Sequence, residues 1–357
     1  MKFLIIDIYY DGFLKKFYKS LAGIDLGYEE NKHRIMRQLF GTADYYSKNL
    51  NLIGNISEDI IYNDKILQNK WVKEHGQVRF LDWLDGAHIP FTKIGFHSHW
   101  QNEILEQQIL DYKPDIIYCQ SLYDPGSVFL NRVKKITGAF IVGQVAFQVN
   151  FDKELLFVYD LILTSFPHFV PRFKSIGINS EYFRIGFETS ILPKLKEMKK
   201  QYPVTFVGSF SRRHDNESVL AVATDVWGHG LVPKTSKYHG EAWGIDMYNI
   251  LYNSKITLNR HISTAENHSN NMRLYEATGV GTMLITDYKD DLHKLFEIGK
   301  EVETYKTKEE LINKVNYYLT HDKEREKIAK AGQKRTLKDH TYKHRMEELV
   351  KILNKYV

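Results

Sequence analysis

The chain has 357 residues, of which 43% are apolar and 26% are charged, a balance typical of a folded globular protein and not of a disordered one. Its length suits two domains, since a single core seldom extends over this many residues. The formal net charge is only +5 and charges of both signs are mixed along the chain, so nucleic-acid binding is not expected.

The single cysteine and the first residues of the chain bear on the compartment. Cys119 alone excludes a disulfide framework and a cysteine-based zinc site. Residues 1–7 are apolar for only a few positions before an acid, far fewer than a signal peptide or a membrane span needs. We therefore expect a cytoplasmic protein that associates with the inner face of a membrane only weakly and peripherally, if it does so at all.

Strands and helices alternate along the first half of the chain. Strands are predicted at residues 3–8, 115–119, 140–144 and 161–165, and helices at 13–20, 65–75, 102–111, 126–137 and 169–176. The pattern over 28–67 is helical, and residues 52–56 within it could form a short strand. Alternation at this spacing indicates a parallel, doubly wound α/β sheet. We therefore predict a Rossmann-like N-terminal domain over residues 1–188, followed by a linker over 189–203 that contains a polar helix.

Polar residues of this half follow predicted strands, where open α/β sheets bind ligands. They are Asp7, Tyr9, Tyr10 and Asp11 after the first strand, which could instead cap the next helix, and Asp124 in the segment 120–125 after the second. His97 and His99 could place both imidazoles on one strand face, but no third metal ligand is evident nearby. We expect no metal here, and these histidines suit either a loop or helix cap or a contact with a substrate.

The second half of the chain repeats the alternation. Strands are predicted at residues 204–207, before 224, at 255–259 and at 282–286, with helices at 246–254, 272–278, 308–319, 323–332 and 342–353. This pattern predicts a second Rossmann-like domain over residues 204–335 and a C-terminal helix within 336–357.

Two segments of the second half have the composition of an anion site. Ser269, Asn270 and Asn271 are good N-cap residues before the helix at 272–278, and the free N–H groups of a helix start attract phosphate. Residues 208–214 form a Gly-led turn in which Arg212 or Arg213 could meet a phosphate. The turn could equally be a solvated basic loop.

Arg273 and Glu276 lie three residues apart on the predicted helix and therefore on one face of it. From spacing alone, such a pair is more often a surface ion pair. The alternative is a ligand site, because a carboxylate can accept both hydroxyls of a ribose and an arginine can neutralise phosphate.

The span from about residue 204 to 349 resembles the C-terminal half of a GT-B glycosyltransferase, in the group-1 branch that includes the spore-maturation-protein-like enzymes. The residues that carry the resemblance are Val204-Thr-Phe-Val-Gly-Ser209, Tyr252-Asn-Ser-Lys-Ile-Thr-Leu-Asn259, Arg273-Leu-Tyr-Glu-Ala277 with Gly279 and Gly281, and Glu301. The resemblance implies a GT-B fold, in which two Rossmann-like domains face each other across a cleft and the last helix crosses back to the first domain.

The resemblance also implies roles for particular residues. Glu276 would hold the ribose of a nucleotide-sugar, and Arg212 or Arg213 would meet its diphosphate. The wider group often has a second Glu eight positions before the first, near the donor sugar, where this chain has His268. The loops that would line the nucleotide base contain Trp227, Gly228, His239, Gly240, Glu241 and Trp243, and the strand end that would point at the cleft contains Asn259, Arg260 and His261.

We therefore expect a glycosyltransferase that moves a sugar from a nucleoside-diphosphate-sugar to a glycan, lipid-linked or other hydroxyl acceptor in polysaccharide or glycoconjugate synthesis, without a cofactor or metal ion. An inverting reaction would need a general base from the first domain, drawn from Asp7, Asp11, His97, His99 and Asp124, whereas a retaining one would not. A nucleotide-sugar epimerase of the same architecture and a non-catalytic nucleotide-sugar-binding protein are the alternatives.

Overall fold

Six parallel strands form the sheet of the N-terminal domain. The computed structural model describes residues 1–76, the backbone of residue 99, and residues 100–196, 198, 200–210, 216–230, 237–269 and 271–357. The strands are β1 (Lys2–Asp7), β2 (Ile56–Ile61), β3 (Ile116–Cys119), β4 (Phe140–Val145), β5 (Leu161–Thr164) and β6 (Ser180–Tyr182), in the order β2-β1-β3-β4-β5-β6. The strand order reverses between β1 and β3, so a ligand crevice is expected at the carboxyl ends of these two strands.

The helices of this domain are α1 (Asp11–Ser20), α2 (Tyr28–Met36), α3 (Tyr45–Leu52), α4 (Lys65–His75), α5 (His99–Tyr112), α6 (Ser127–Thr137), α7 (Lys153–Leu156) and α8 (Phe169–Ser175). The helical pattern predicted over 28–67 is divided into α2 and α3, and the strand β2 lies at residues 56–61 and not at 52–56. Positive φ angles at Leu39 (58°), Gly41 (57°) and Ala43 (39°) end one helix before the next begins.

Five parallel strands form the sheet of the C-terminal domain. They are β7 (Tyr202–Phe210), β8 (Asp225–Gly230), β9 (Ser254–Asn259), β10 (Met283–Asp287) and β11 (Glu303–Tyr305), in the order β11-β10-β9-β7-β8. The helices are α9 (Glu217–Val222), α10 (Gly244–Tyr252), α11 (Met272–Gly279), α12 (Lys308–Thr320), α13 (Asp322–Asp339) and α14 (Tyr342–Leu353). Among the described residues, no helix has the length and the apolar sequence needed to cross a bilayer.

Residues 225–230, predicted as a loop after a strand, are themselves the strand β8. Two glycines and two polar residues hid it in the sequence, although Val226 and Trp227 are buried. The glycine at 228 is needed because β8 lies so close to β7 that a Cβ there would stand 1.8 Å from the carbonyl oxygen of Gly208.

The chain crosses between the domains twice. A 3₁₀ helix covers Thr189–Lys194, and the polar helix predicted over residues 192–202 is wrong in the described part of this segment. The N–H groups of Lys196 and Met198 donate to the side chains of Asn249 and Asn253, both at 2.8 Å, instead of to carbonyl groups of a helix. Phe187 N donates to His340 O at 2.8 Å and Tyr342 N donates to Phe187 O at 3.0 Å, so the two crossing segments are hydrogen-bonded to each other. The predicted boundary at residue 336 falls inside α13, and the return crossing occurs at residues 340–342.

The last helix packs on the N-terminal domain. The Tyr342 ring, at the start of α14, lies 5.2 Å from the ring of Tyr45 and 5.5 Å from that of Tyr46, both on α3. All three tyrosines are buried. A single apolar cluster therefore extends from one domain into the other through these helices.

Candidate active site

A cavity of about 540 Å³ lies between the two domains, and residues of both domains line it. Its N-terminal wall comes from the carboxyl ends of β1, β3 and β4 and from the loop before α3. Its C-terminal wall comes from the ends of β7, β8 and β9 and from α10 and α11. The cavity thus opens at the point where the strand order of the first sheet reverses, which is where this class of sheet binds ligands.

The Arg273–Glu276 pair on α11 forms part of the cavity wall. Arg273 Nη1 lies 2.8 Å from Glu276 Oε2, and the two side chains are only 12% and 6% exposed, so this is not the solvated surface pair that the spacing alone allowed. Arg273 Nη2 also donates to Val207 O at 3.1 Å, and the Tyr248 hydroxyl donates to Glu276 Oε1 at 3.4 Å. The pair is therefore held in one geometry by the strand and helix beside it.

Burial changes the electrostatics of this pair. It raises the pKa of Glu276, while the Arg273 charge and the Tyr248 hydroxyl oppose that rise. Arg273 Nε is buried without a hydrogen-bond partner, so one donor of the guanidinium is unused in this structure. Because a buried ion pair contributes little to stability and often costs desolvation energy, its presence in a cavity wall points to a ligand.

The start of α11 is fixed by its N-cap residue. Asn271 Oδ1 accepts from Leu274 N at 3.3 Å, and Asn271 Nδ2 donates to Asn259 Oδ1 at 2.8 Å. Asn259 in turn donates to Thr286 Oγ1 at 2.9 Å. The N–H groups of the first helical turn have no intrahelical partner and carry the positive end of the helix dipole, and this turn lines the cavity.

His268 and Ser269 lie beside the cavity and not in its wall. Ser269 N donates to Asp291 Oδ1 at 2.6 Å, and His268 Nδ1 lies 3.1 Å from Asp291 Oδ2. The His268 ring stacks on His168 of the N-terminal domain, with ring centroids 5.0 Å apart and planes inclined by 12°. The donor-sugar contact expected of His268 stays a prediction, and Asn270 lies outside the described residues.

The two tryptophans proposed as surfaces for a nucleotide base occupy different environments. Trp227 is buried between Tyr202 and His239, with ring centroids at 5.0 and 4.6 Å, and it does not reach the cavity. Trp243 is half-buried and lines the cavity. The structure therefore brings Trp243 to the site and makes Trp227 a packing residue.

The other predicted residues of these loops have separate places in the structure. Gly228 lines the cavity, and its N–H donates to Gly240 O at 3.0 Å. His239 Nε2 lies 2.8 Å from Asp225 Oδ1. Glu241 accepts from Trp243 Nε1 at 3.3 Å, so it orients the indole.

Aromatic rings from both domains meet around Trp243. Its centroid lies 5.6 Å from that of Tyr10, 5.4 Å from that of Phe40 and 5.0 Å from that of His229. Burial lowers the pKa of His229, which favours its neutral form. His229 belongs to the segment 224–230 that the resemblance placed at the nucleotide base, although it was not named as a contact there. Phe40 lies in no predicted motif and was missed, because only the tertiary structure brings it beside Trp243.

Among the described candidates for the general base, Asp7 lines the cavity. Its Oδ1 accepts from Ile8 N at 2.8 Å and its Oδ2 from Thr42 Oγ1 at 3.3 Å. Burial raises the pKa of Asp7 to about 6 against these hydrogen bonds. The carboxylate is therefore ionised at neutral pH and more basic than a solvated aspartate.

Two other candidate bases, Asp11 and Asp124, do not line the cavity. Asp11 is exposed at the start of α1, and Asp124 is exposed after β3, where its backbone N–H donates to Ser121 Oγ at 3.2 Å. His97 lies outside the described residues, and only the backbone of His99 is described, at the start of α5.

The end of β9 contributes one arginine to the cavity and one buried histidine behind it. Arg260 lines the cavity. His261 Nδ1 lies 2.7 Å from Asp287 Oδ1, which also accepts from His261 N at 3.0 Å. Burial alone would raise the pKa of Asp287, but the hydrogen bond and charge of His261 hold it at about 2, so this acid stays ionised and fixes the loop that carries Arg260.

Two further predictions concern phosphate and metal binding. Arg212 and Arg213 lie outside the described residues, so their contact with a phosphate stays a prediction. Among the described residues, no group of three or more His, Cys, Asp or Glu side chains could hold a metal ion.

Comparison with known proteins gives a family model and a set of solved structures. Residues 189–351 match a family model described as glycosyl transferase-like. No curated protein sequence matches the chain.

The solved structures resemble the chain over its whole length. HepE from Anabaena in complex with UDP and glucose has a TM-score of 0.60 at 12% identity, covering 99% of this chain and 100% of its own. Sucrose-phosphate synthase from Thermosynechococcus elongatus has a TM-score of 0.59 at 12% identity, with 99% and 98% covered. A glycosyltransferase from Rickettsia africae has a TM-score of 0.56 at 12% identity, again with 99% and 98% covered.

These comparisons confirm the predicted architecture and support the predicted family. At such identities the structural likeness establishes the fold, and the two parallel sheets facing each other across a cavity are that fold. The family match lies on the half of the chain that carries the Arg273–Glu276 pair, and it supports the predicted group-1 glycosyltransferase family. The chain therefore has the GT-B fold, and its residues 189–351 match the glycosyl transferase-like family model.

Proposed function

We propose that the protein transfers a sugar from a nucleoside-diphosphate-sugar, bound on the C-terminal wall of the cavity, to a hydroxyl acceptor bound on the N-terminal wall. The observation that carries the proposal is the buried Arg273–Glu276 pair at the start of α11, inside a cavity formed by both domains. The likeness to HepE, whose structure is also known in complex with UDP-glucose, supports a nucleotide-sugar as the donor. The cavity volume of about 540 Å³ lies in the range of small-molecule sites.

The donor is proposed to lie along α11 and the end of β8. Glu276 accepts the two ribose hydroxyls, and the first turn of α11 together with Arg273 Nε binds the diphosphate. The base lies against Trp243, whose half-buried ring offers a flat apolar surface beside the cavity. No metal ion is required, because a helix N-terminus and an arginine both stabilise anionic charge.

The transfer exchanges one bond at the anomeric carbon for another. The acceptor oxygen forms a bond to this carbon as the bond from the carbon to the diphosphate oxygen breaks, and the electron pair leaves with the nucleoside diphosphate. Arg273 and the α11 dipole stabilise the charge that grows on the leaving group. In an inverting transfer the proton of the acceptor hydroxyl passes to the Asp7 carboxylate, which stands on the opposite wall.

The finer parts of the proposal concern where the reaction takes place. We place it in polysaccharide or glycoconjugate synthesis, at the cytoplasmic side of a membrane. The net charge of +5 supports a weak peripheral contact with an anionic membrane surface.

A thermal-shift panel tests the donor site. The melting temperature is measured with UDP, GDP, TDP, CMP and ADP, and one diphosphate is expected to raise it, since a ligand that binds only the folded state stabilises that state. Glu276→Ala should abolish most of this shift, measured against the melting temperature of the variant without ligand. Glu276→Gln, which keeps the side-chain volume, serves as a second variant if the alanine protein does not fold.

The matched control is Glu297→Ala. Glu297 and Lys300 form a pair of the same i, i+3 spacing, but the two side chains are 59% and 71% exposed. This variant should keep the full nucleotide shift. The proposal is wrong if no nucleotide raises the melting temperature of the wild type, or if the Glu276 variants keep the shift that Glu297→Ala keeps.

A further inference from the structure

We infer that the acceptor is the end of an uncharged oligosaccharide, with its terminal sugar held by Asp7, Gln120 and Gln144 and its next sugar stacked on Phe147. The assignment rests on the proposed function and adds the class of acceptor to it. All four side chains line the N-terminal wall of the cavity.

The two walls of the cavity differ in charge. Among the described residues that line it, the arginines are Arg260 and Arg273, and both belong to the C-terminal domain. The corresponding N-terminal residues include one carboxyl group, that of Asp7, and no lysine or arginine. A phosphate or carboxylate acceptor on this wall would meet a like charge without a compensating cation, whereas an uncharged acceptor would not.

The polar groups of this wall have unused hydrogen-bonding capacity. Thr42 Oγ1 lies 3.3 Å from Asp7 Oδ2 and 3.0 Å from Gln120 Oε1, and its single proton cannot serve both oxygens at once. Gln120 Nε2 is buried and has no hydrogen-bond partner. An unpartnered buried donor is costly, so a ligand that supplies an acceptor there stabilises the site.

A sugar hydroxyl supplies what both groups lack. It donates its proton to the Asp7 carboxylate while its oxygen accepts from Gln120 Nε2, because a hydroxyl is donor and acceptor at once. An ammonium group could serve only Asp7, and a phosphate could serve only Gln120. The neighbouring pair of a carboxylate and an amide donor therefore favours hydroxyl recognition over recognition of either ion.

Gln144 provides a second donor next to the first. Its Oε1 accepts from the Tyr46 hydroxyl at 3.0 Å and from the Tyr118 hydroxyl at 2.6 Å, and the side chain is buried. These two bonds fix the orientation of the amide, which leaves Nε2 as its hydrogen-bonding group for the cavity. Two amide donors and one carboxylate match a ring that carries several hydroxyls.

Two exposed aromatic rings extend the wall beyond these polar groups. Phe147 is 38% exposed and lines the cavity, and Tyr123 is 37% exposed with its ring centroid 6.0 Å from that of Phe147. Exposed aromatic faces side by side indicate a binding surface more than a packing one. The apolar face of a second sugar ring fits this surface, which is why we assign an oligosaccharide and not a single sugar.

The test is an acceptor assay with the full-length protein. Release of the nucleoside diphosphate is measured with the donor whose nucleotide gives the thermal shift, in the presence of a library of neutral mono- and oligosaccharides built from hexoses, deoxyhexoses and N-acetylhexosamines. The charged compounds tested as acceptors in the same assay are glucose 6-phosphate, glucuronic acid and a polyprenyl phosphate. We expect neutral oligosaccharides to increase the rate over that with donor alone, and at least about tenfold more than any charged compound does.

Three variants test whether residues of the N-terminal wall bind the acceptor. Phe147→Ala and Gln120→Leu should each raise the KM for the neutral acceptor about tenfold, the effect of one lost contact of about 1.4 kcal/mol, with a smaller change in kcat. Both should keep the nucleotide-induced thermal shift. Phe157→Ala is the matched control, because Phe157 is a 47% exposed aromatic residue of the same domain that does not line the cavity.

The outcomes separate this assignment from the donor proposal. A rate increase by a sugar phosphate, glucuronic acid or a polyprenyl phosphate in place of neutral saccharides, or no increase by any member of the neutral library, overturns the assignment. The assignment is also overturned if Phe147→Ala and Phe157→Ala have the same effect on the KM for the neutral acceptor. A wild type that shows no nucleotide-induced thermal shift counts against the donor proposal instead.

Discussion

Asn271 donates to Asn259 at 2.8 Å across the entrance of α11, so the first turn of this helix is tied to the end of β9. The same side chain caps the helix by accepting from Leu274 N. Any diphosphate bound at this turn therefore meets backbone N–H groups whose positions are already fixed, and fixed donors bind an anion better than mobile ones.

Removal of this cap should affect both stability and binding. Asn271→Ala loses the cap and the tie to Asn259, so we expect the free energy of unfolding to fall by about 1 kcal/mol and the Kd of the stabilising diphosphate to rise about tenfold. Urea unfolding and calorimetric titration measure the two quantities.

The control for this prediction is a second N-cap in the same domain. Thr307 caps α12 by accepting from Glu310 N at 3.1 Å, and it does not line the cavity. Thr307→Ala should lose similar stability and keep the Kd. Equal losses of affinity in the two variants would show that Asn271 acts through general stability and not at the site.

The two tryptophans should respond differently to truncation. Trp227→Ala removes a buried side chain and should lower the free energy of unfolding by about 3 to 5 kcal/mol. Trp243→Ala removes a half-buried ring of the cavity wall and should cost much less stability while raising the Kd of the nucleotide about tenfold. Urea unfolding and titration of both variants provide the measurement. Unchanged nucleotide affinity in Trp243→Ala would remove this ring from the proposed base site.

If the transfer is inverting, activity should fall in acid because Asp7 is the proposed base. Its carboxyl group has a pKa of about 6 and must be ionised to accept a proton, so kcat/KM should decrease about tenfold per pH unit below pH 6. Asp7→Asn should lose most activity and this acid limb together. Asp11→Asn, which removes an exposed carboxyl group four residues further along the chain, at the start of α1, should keep the profile of the wild type. A wild-type profile that stays flat down to pH 5 would exclude Asp7 as the base.

The same pKa predicts an effect on stability. Burial raises the pKa of Asp7 from 3.8 to about 6, so the folded chain binds this proton more tightly than the unfolded chain does. The protonated Asp7 carboxyl group therefore contributes stability to the fold below about pH 4, and this contribution is lost as the pH rises through 6. Asp7→Asn should therefore be more stable than the wild type at pH 8, by about 1 kcal/mol or more, and not at pH 4. Thermal unfolding at the two pH values measures the difference.

A donor incubated without acceptor should not be converted into a different nucleotide-sugar. The proposed transfer needs an acceptor hydroxyl, so nuclear magnetic resonance of donor and protein alone should show only slow hydrolysis. A new anomeric signal that still belongs to a nucleotide-sugar would identify an epimerase of the same architecture.

The sequence predicts most of the strands and the α11 region, because buried parallel strands and capped helices leave strong local patterns. It could not decide whether Arg273 and Glu276 form a surface pair, since spacing along a helix does not say which face the fold covers. The sequence also offered Trp227 and Trp243 as equal candidates for the surface that binds the nucleotide base. Only the tertiary structure separates them, because Trp227 lies on β8 and packs between Tyr202 and His239, whereas Trp243 precedes α10 and lines the cavity.

The N-terminal wall was harder to predict for a different reason. Thr42 and Gln120 are 78 positions apart along the chain, and Thr42 and Asp7 are 35 apart, yet they share hydrogen bonds. No local motif marks such a cluster. The segment around Asp124 was recognised as following a strand, but Gln120, the first residue of that segment, is the one that reaches the cavity.

The double crossing at Phe187 and residues 340–342 is not the only backbone connection between the domains in the described part of the chain. Ile245 N donates to Gln38 O at 3.0 Å, two residues after Trp243, whose ring contacts Tyr10 and Phe40 of the other domain. Separating the domains at the cavity would therefore break a backbone hydrogen bond and the aromatic contacts of Trp243 together, so the ring proposed to bind the base is also one that holds the two domains in contact.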